Sequence, residues 1–408
     1  MHLLAVSAQL PGHLDWGGYL HTAAELARRG HQVTWASGAA VAPQVRQAGI
    51  PFAMQTETGW RWPPPPPLIP DPAADPTEVQ QQKQVRALDQ WLDPARVAAA
   101  AAELSALAGV VQPDLILTEM FTAAAGLVAE QLDVPLVVVG WPAPAAQSDP
   151  ADDAMTTLAR ARLDELLRPL GLVGKNFSPQ GPPALCSPHL HLTYWTAGWY
   201  AGAALGAQTV HVGGLAAHRP PGLLPDPNLP HPDDAPWVLI TLGTSFNADP
   251  NFFMAAAHAA DQLGCLPLLA VGAPLTTPWC EAMLPRLPRR AVMRTHVDFA
   301  TTLPFVAAAI HHGGAGTTHA LATHAIPQIV VPHAADQIRQ AQGLLRTGAG
   351  LHLAPKQVTI ARLVDGLAQA LPDRGDLRGH AVALQVELDA LGGVPAAAKR
   401  IEALGREV

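Results

Sequence analysis

The chain opens with a continuous apolar run, His2–Ala8, followed by a glycine-containing loop, Leu10–Gly18. In Tyr19–Arg29 the apolar positions recur at helical spacing (Tyr19, Ala23, Leu26, Ala27), and Gly30 is placed to stop the helix. An unbroken apolar run suits a parallel strand covered on both faces, and Gln32–Ala36 gives the next one. This β-α-β opening predicts a doubly wound α/β domain, whose ligands bind in the loops after the strand C-termini. The rhythm recurs in the strand Leu115–Thr118, the Ala-rich helix Thr122–Leu132 and the strand Leu136–Val139. It restarts at Trp237 with a strand to Leu242, a helix Phe252–Leu263 and strands near Leu268–Val271 and Ala291–Arg294. Next come Ala307–His311, the glycine-rich loop His312–Gly316, a helix through Thr323 and the strand Gln328–Val331. Leu377–Leu404 is helical in pattern apart from a break at Gly392-Gly393.

Two long stretches between these units lack a clear period and are expected to be irregular binding walls. Residues 52–92 carry Trp60, Trp62 and the prolines 63–67; residues 141–200 carry Trp141, Tyr194, Trp195, Trp199 and Tyr200. Trp60, Trp62, Trp141 and Trp195 are candidate walls of a small-molecule acceptor pocket, against the plainer reading of core packing. Residues 216–236 are dense in proline and read as a stiff linker. The expected division is an N-terminal domain 1–215, a linker 216–236, a second domain 237–380 and a helical tail 381–408 that packs back on the first domain.

Composition narrows the function classes. With 408 residues, 49% of them hydrophobic, the chain fills sizeable cores, which excludes wholesale disorder. A formal charge of −8, with Lys only at 83, 175, 356 and 399, gives no global electrostatic reason to bind nucleic acid or an anionic membrane. Three cysteines without CxxC spacing argue against disulfides and a Cys-based zinc site, and the histidines lack an H-E-x-x-H pattern, so no metal is expected. The apolar N-terminus has no basic region before it, and no uninterrupted apolar run reaches about 18–20 residues. The expected location is the cytoplasm.

Residues 310–342, IHHGGAGTTHALATHAIPQIVVPHAADQIRQAQ, carry the clearest chemistry. A strand that ends in glycines and opens into a helix is a phosphate cradle, because backbone N–H groups approach an anion there and the helix N-terminus adds unsatisfied donors. Thr317 or Thr318 serves as helix cap or phosphate ligand. Neither G-x-G-x-x-G nor a P-loop is present.

The longer segment resembles the donor-binding signature of family 1 nucleotide-sugar glycosyltransferases of the GT-B fold, most closely the bacterial natural-product and sterol-directed branches. The matching elements are His312-Gly313-Gly314, Thr317, Ile326-Pro327-Gln328, Pro332, Asp336-Gln337 and Gly348-Ala349-Gly350. The resemblance implies two Rossmann-like α/β domains facing across a cleft. It also implies diphosphate contacts from His312, Gly314, Gly316 and Thr317, and sugar-hydroxyl contacts from Asp336 and Gln337, although Asp336 also suits a helix N-cap. The Leu239–Ser245 segment matches the first strand and loop of the family's second domain, where Gly243, Thr244 and Ser245 face the phosphates. His296-Val297 stands where the family clamps the nucleobase, with His296 replacing the usual Trp and Asp298 a common Pro.

In the first domain, Gly12-His13 lies where the family carries its general base. Histidine suits that task because its ordinary pKa is near neutrality. Glu119, at a strand end, stands where relatives carry an Asp that orients the imidazole; Asp15 is a second candidate, as partner or base. Ala320 replaces a Glu that binds both ribose hydroxyls in many relatives, which points to a thymidine donor, whereas sterol-type relatives lack that Glu and use uridine donors. The reading favours UDP-sugar over dTDP-sugar, as substrate and not as cofactor. The expected function is inverting, metal-independent hexosyl transfer to a hydroxyl of a lipophilic acceptor. A nucleotide-sugar epimerase, a cell-wall sugar transferase and a silent nucleotide-sugar-binding homologue remain alternatives on the same fold.

Overall fold

The computed structural model describes residues 1–408 except 15–16, 64, 66–67, 69–70, 72–74, 144–153, 180, 216–221, 244–247, 334, 372–374 and 408; the side chains of His13, Ala335 and Asp336 also lie outside the description. Two compact units form: one of Met1–Tyr194, Gly202–Val212 and Gly392–Val408, the other of Trp195–Ala201 and Gly213–Leu391.

Each unit is built on one parallel sheet. The first holds β1 (His2–Val6), β2 (Gln32–Ser37), β3 (Phe52–Met54), β4 (Leu115–Thr118), β5 (Leu136–Val139), β6 (Leu190–Thr193) and β7 (Thr209–His211), in the order β3-β2-β1-β4-β5-β6-β7. The second holds β8 (Trp237–Thr241), β9 (Leu266–Ala270), β10 (Val292–Arg294), β11 (Val306–His311), β12 (Gln328–Val330) and β13 (Gly350–His352), in the order β10-β9-β8-β11-β12-β13. Both orders reverse once, between β1 and β4 and between β8 and β11. At such a switch point the loops after the strands part and leave a crevice for ligands. Val6 pairs with Thr118 there, and Thr241 with His311.

The unbroken apolar runs follow from burial on both faces. In β1 and β4, Leu4, Val6 and Ile116 join one core while Leu3, Ala5, Leu115 and Leu117 join the opposite one. In β8 and β11, Val238, Ile240 and Ile310 face one way and Trp237, Leu239 and Ala309 the other. The helical tail is divided at its glycine break: Leu377–Ala390 belongs to the second unit, whereas Ala397, Ala398 and Ile401 of Gly393–Glu407 complete the core beside Leu3 in the first.

The stretches expected to be irregular contain regular elements. The loop after β1 includes a short helix, Pro11–Leu14. Residues 52–92 hold β3 and a helix, Pro76–Trp91, started by Asp75, whose carboxylate accepts the Thr77 N–H at 2.6 Å. That helix buries little beyond Leu88, so it has no apolar period to recognise. Residues 141–200 hold the helix Ala154–Leu170 and β6. Trp195–Ala201, assigned from sequence to the N-terminal domain, is part of the second unit. Two stretches, Pro76–Val111 and Leu377–Glu407, have the length and composition to cross a membrane, and each is divided into two helices.

Candidate active site

At the switch point of the second unit, two glycine-containing loops meet around one imidazole. β8 ends at Thr241, whose hydroxyl donates to the Ala270 carbonyl at 2.9 Å and accepts the Gly243 N–H at 3.2 Å. Gly243 has φ +71°, and a Cβ there would lie 2.8 Å from Cε1 of His312. A Cβ on Gly314 would lie 2.4 Å from Nε2 of the same ring. Side chains at 243 and 314 would therefore displace His312, which is only 8% exposed. Burial, reinforced by nearby His333, pushes its pKa down to about 4, against an opposing hydrogen bond with the Thr241 backbone. The ring is neutral at physiological pH.

After Gly314 the helix Ala315–Thr323 begins. Its first amides have no preceding helical carbonyl to bond, an arrangement that suits an anion. Gly316 and Thr317 lie in this first turn, half-buried. Thr318 is turned inward, its hydroxyl donating to the Gly314 carbonyl at 2.8 Å, so of the two candidate threonines it is the one already engaged by the backbone.

The neighbouring loop carries the two candidate sugar ligands, Asp336 and Gln337. Gln337 is buried, and its Oε1 accepts the His333 N–H at 2.7 Å. Its carbonyl thus shapes the loop after β12. His333 lies near His312, with its Nε2 3.8 Å from an oxygen of Asp249. Asp249 also caps the helix Pro250–Gln262 by accepting the Phe252 N–H at 3.0 Å. The Asp336 side chain, Thr244 and Ser245 lie outside the described residues.

His296 and Val297 line a cavity of about 520 Å³ with Trp237, Leu268 and Arg294. Its other wall is part of the proline-rich segment, including Leu223, Asp226 and Leu229. Linker composition alone gave no sign of this role. Asp298 caps the helix Phe299–Thr302, accepting the Ala300 N–H at 3.0 Å. Among the described residues, no group of three His, Cys, Asp or Glu is arranged to hold a metal ion.

In the first unit, Glu119 follows β4 at the switch point and is fully buried. One carboxylate oxygen accepts the Ala8 N–H at 3.2 Å, from the loop after β1, and the other accepts the Phe121 N–H at 2.7 Å. The carboxylate therefore ties the two switch-point loops together. His13 is in the short helix that follows Ala8; its side chain, and Asp15, lie outside the described residues. Trp60 packs on Phe121, with ring centroids 5.0 Å apart, which brings it beside the Glu119 loop. Trp62 is 38% exposed and Trp141 is half-buried. Trp195 departs from its expected role: it is in the second unit's core, stacked on Trp199 at 3.6 Å and 4% exposed.

Residues 281–404 match the family described as the erythromycin biosynthesis protein CIII-like (EryCIII-like) C-terminal domain. The elloramycin glycosyltransferase ElmGT of Streptomyces olivaceus is 30% identical over 265 residues, which span 62% of this chain and 60% of that protein. CalG4, the calicheamicin glycosyltransferase, superposes with a TM-score of 0.75 at 23% identity, covering 99% of this chain and 98% of its own. The spinosyn rhamnosyltransferase SpnG, solved with thymidine diphosphate, superposes with a TM-score of 0.69 at 24% identity, covering 98% and 100%. The chain therefore shares the GT-B fold of these glycosyltransferases, and its residues 281–404 match the EryCIII-like C-terminal domain.

Proposed function

We propose that this protein transfers a hexosyl group from a nucleoside diphosphate sugar to a hydroxyl of an apolar small molecule, with inversion and without needing a metal. The supporting observation is the glycine-framed His312 beside the first turn of Ala315–Thr323, a neutral donor set suited to a diphosphate. In this reading His13 takes the proton of the acceptor hydroxyl as its oxygen attacks the anomeric carbon. The carbon–oxygen bond to the diphosphate breaks, and the leaving group is held by the loop amides and His312. Glu119 orients the imidazole, as a carboxylate does in hydrolase triads.

The nucleoside is proposed less narrowly than the sequence suggests. Ala320 offers no ligand to a ribose diol, and SpnG was solved with thymidine diphosphate, so thymidine donors stand beside uridine donors. Crossing UDP- and dTDP-sugars with lipophilic alcohols, with products read by mass spectrometry, tests the reading. His13→Ala is expected to lower transfer about 10²–10⁴-fold while diphosphate binding is retained. Transfer at the wild-type rate would refute His13 as base. Conversion of donor alone into an isomeric sugar would favour the epimerase alternative.

A further inference from the structure

Behind the glycine loop runs a buried polar chain that makes no direct use of the anion site. His311, the last residue of β11, is fully buried, and its Nδ1 accepts the Gly313 N–H at 3.1 Å. Its Nε2 lies 2.9 Å from Oε1 of Gln328 on β12, and Nε2 of Gln328 donates to the Thr318 carbonyl at 3.2 Å. The chain has one possible sense. A nitrogen that accepts carries no proton, so Nδ1 is bare, Nε2 carries the hydrogen and Gln328 presents its carbonyl to it. Gly313 itself has φ +87°, and a Cβ there would lie 2.7 Å from Cγ1 of Val330, so the loop crosses β12 at a point only glycine passes.

We propose that His311 and Gln328 are positioning residues for the donor diphosphate: by drawing the Gly313 N–H inward, they fix the loop so that the first amides of Ala315–Thr323 stay turned to the anion. The proposal rests on the functional reading of that loop. Burial, with His312 adding to it, lowers the His311 pKa to about 3, so the required tautomer persists through physiological pH. Among the described residues, the titratable neighbour is His312, its ring 6.4 Å away. β8, β12 and the helix present Thr241, Gln328 and Thr318, none of which titrates.

The test measures UDP and dTDP binding by calorimetry from pH 5.5 to 8.5 in wild type, Gln328→Glu and Gln328→Met. A carboxylate at 328 favours the imidazolium, whose Nδ1–H can no longer accept from Gly313. The ratio of Gln328→Glu to wild-type Kd is therefore expected to rise about tenfold between pH 8 and 6. Gln328→Met is expected to bind more weakly with no such slope. A pH-independent loss of the same size in both variants, or wild-type affinity in both, overturns the positioning role. Amide exchange in the wild type needs no variant to fold: a protected Gly313 N–H supports the proposal and an unprotected one overturns it. If the wild type binds neither diphosphate while Gly313 is protected, the functional reading fails instead.

Discussion

His312 is held by what two glycines lack. Gly314 has φ −62° and ψ 138°, a conformation any residue adopts, so Gly314→Ala adds a methyl group without straining the backbone. The methyl would meet Nε2 at 2.4 Å and push the ring from its slot. The expected cost in stability is about 1–3 kcal/mol, as for other overpacked sites. The larger expected effect is on function: about a tenfold or greater loss of diphosphate affinity, corresponding to about 1.4 kcal/mol or more. Calorimetry beside a thermal melt separates the two, and unchanged affinity would remove His312 from the anion site. The glycine turn between β11 and the helix Ala315–Thr323 was legible in sequence, because glycines between an apolar run and a helical period mark such a turn. The engagement of Gln337 with His333 was not, since the direction of an amide depends on how its loop closes. His311 and Gln328 were equally hidden, because they meet only through the register of β11 on β12, in which His311 lies opposite Val330 and Gln328 opposite Ala309.

Among the elements, those bearing two-sided apolar runs were legible, whereas the strand orders that create the two switch points came from the structure. The helix Pro76–Trp91 was not, because its surface is polar almost all round and its start depends on one carboxylate at Asp75. Trp195–Ala201 was misassigned for a different reason: a short aromatic segment has no period to say which core takes it. In the second unit Trp199 lies against Gly343 of the helix Ala335–Thr347, where a Cβ would come within van der Waals overlap of the indole. Arg346 also donates to the Trp199 carbonyl at 3.2 Å, and the edge of His319 meets Trp195 at 4.8 Å. Trp199→Ala would leave a cavity between a stacked indole and a helix backbone, at a cost of about 3–5 kcal/mol. Urea unfolding checks this; a loss below about 1 kcal/mol would mean that the segment is not built into that core.

For the whole molecule, the formal charge of −8 sits uneasily with a diphosphate ligand until charge is considered locally. Neither 242–249 (LGTSFNAD) nor 312–317 (HGGAGT) contains Lys or Arg, so in the proposed site the anion is met by amides and a neutral imidazole. That reliance on buried neutral histidines has a consequence for acid stability. His191 in the first unit has its pKa lowered to about 4 by burial, and its Nε2 accepts the Ser187 N–H at 2.8 Å. His311 and His312 in the second unit are lowered to about 3 and about 4. In the unfolded chain these rings titrate near 6.5, so below that pH the unfolded state binds protons that the folded state refuses. Stability is therefore complete above about pH 6.5 and falls as pH drops toward the folded values, by about 1.4 kcal/mol per pH unit for each ring. Denaturant unfolding at pH 7 and pH 5 is expected to show a marked loss. His191→Gln removes one titrating ring, so in the first unit that loss should shrink by about 1.4 kcal/mol per pH unit. Stability that is flat across this range would mean that these rings are charged, or reached by water, in the folded protein.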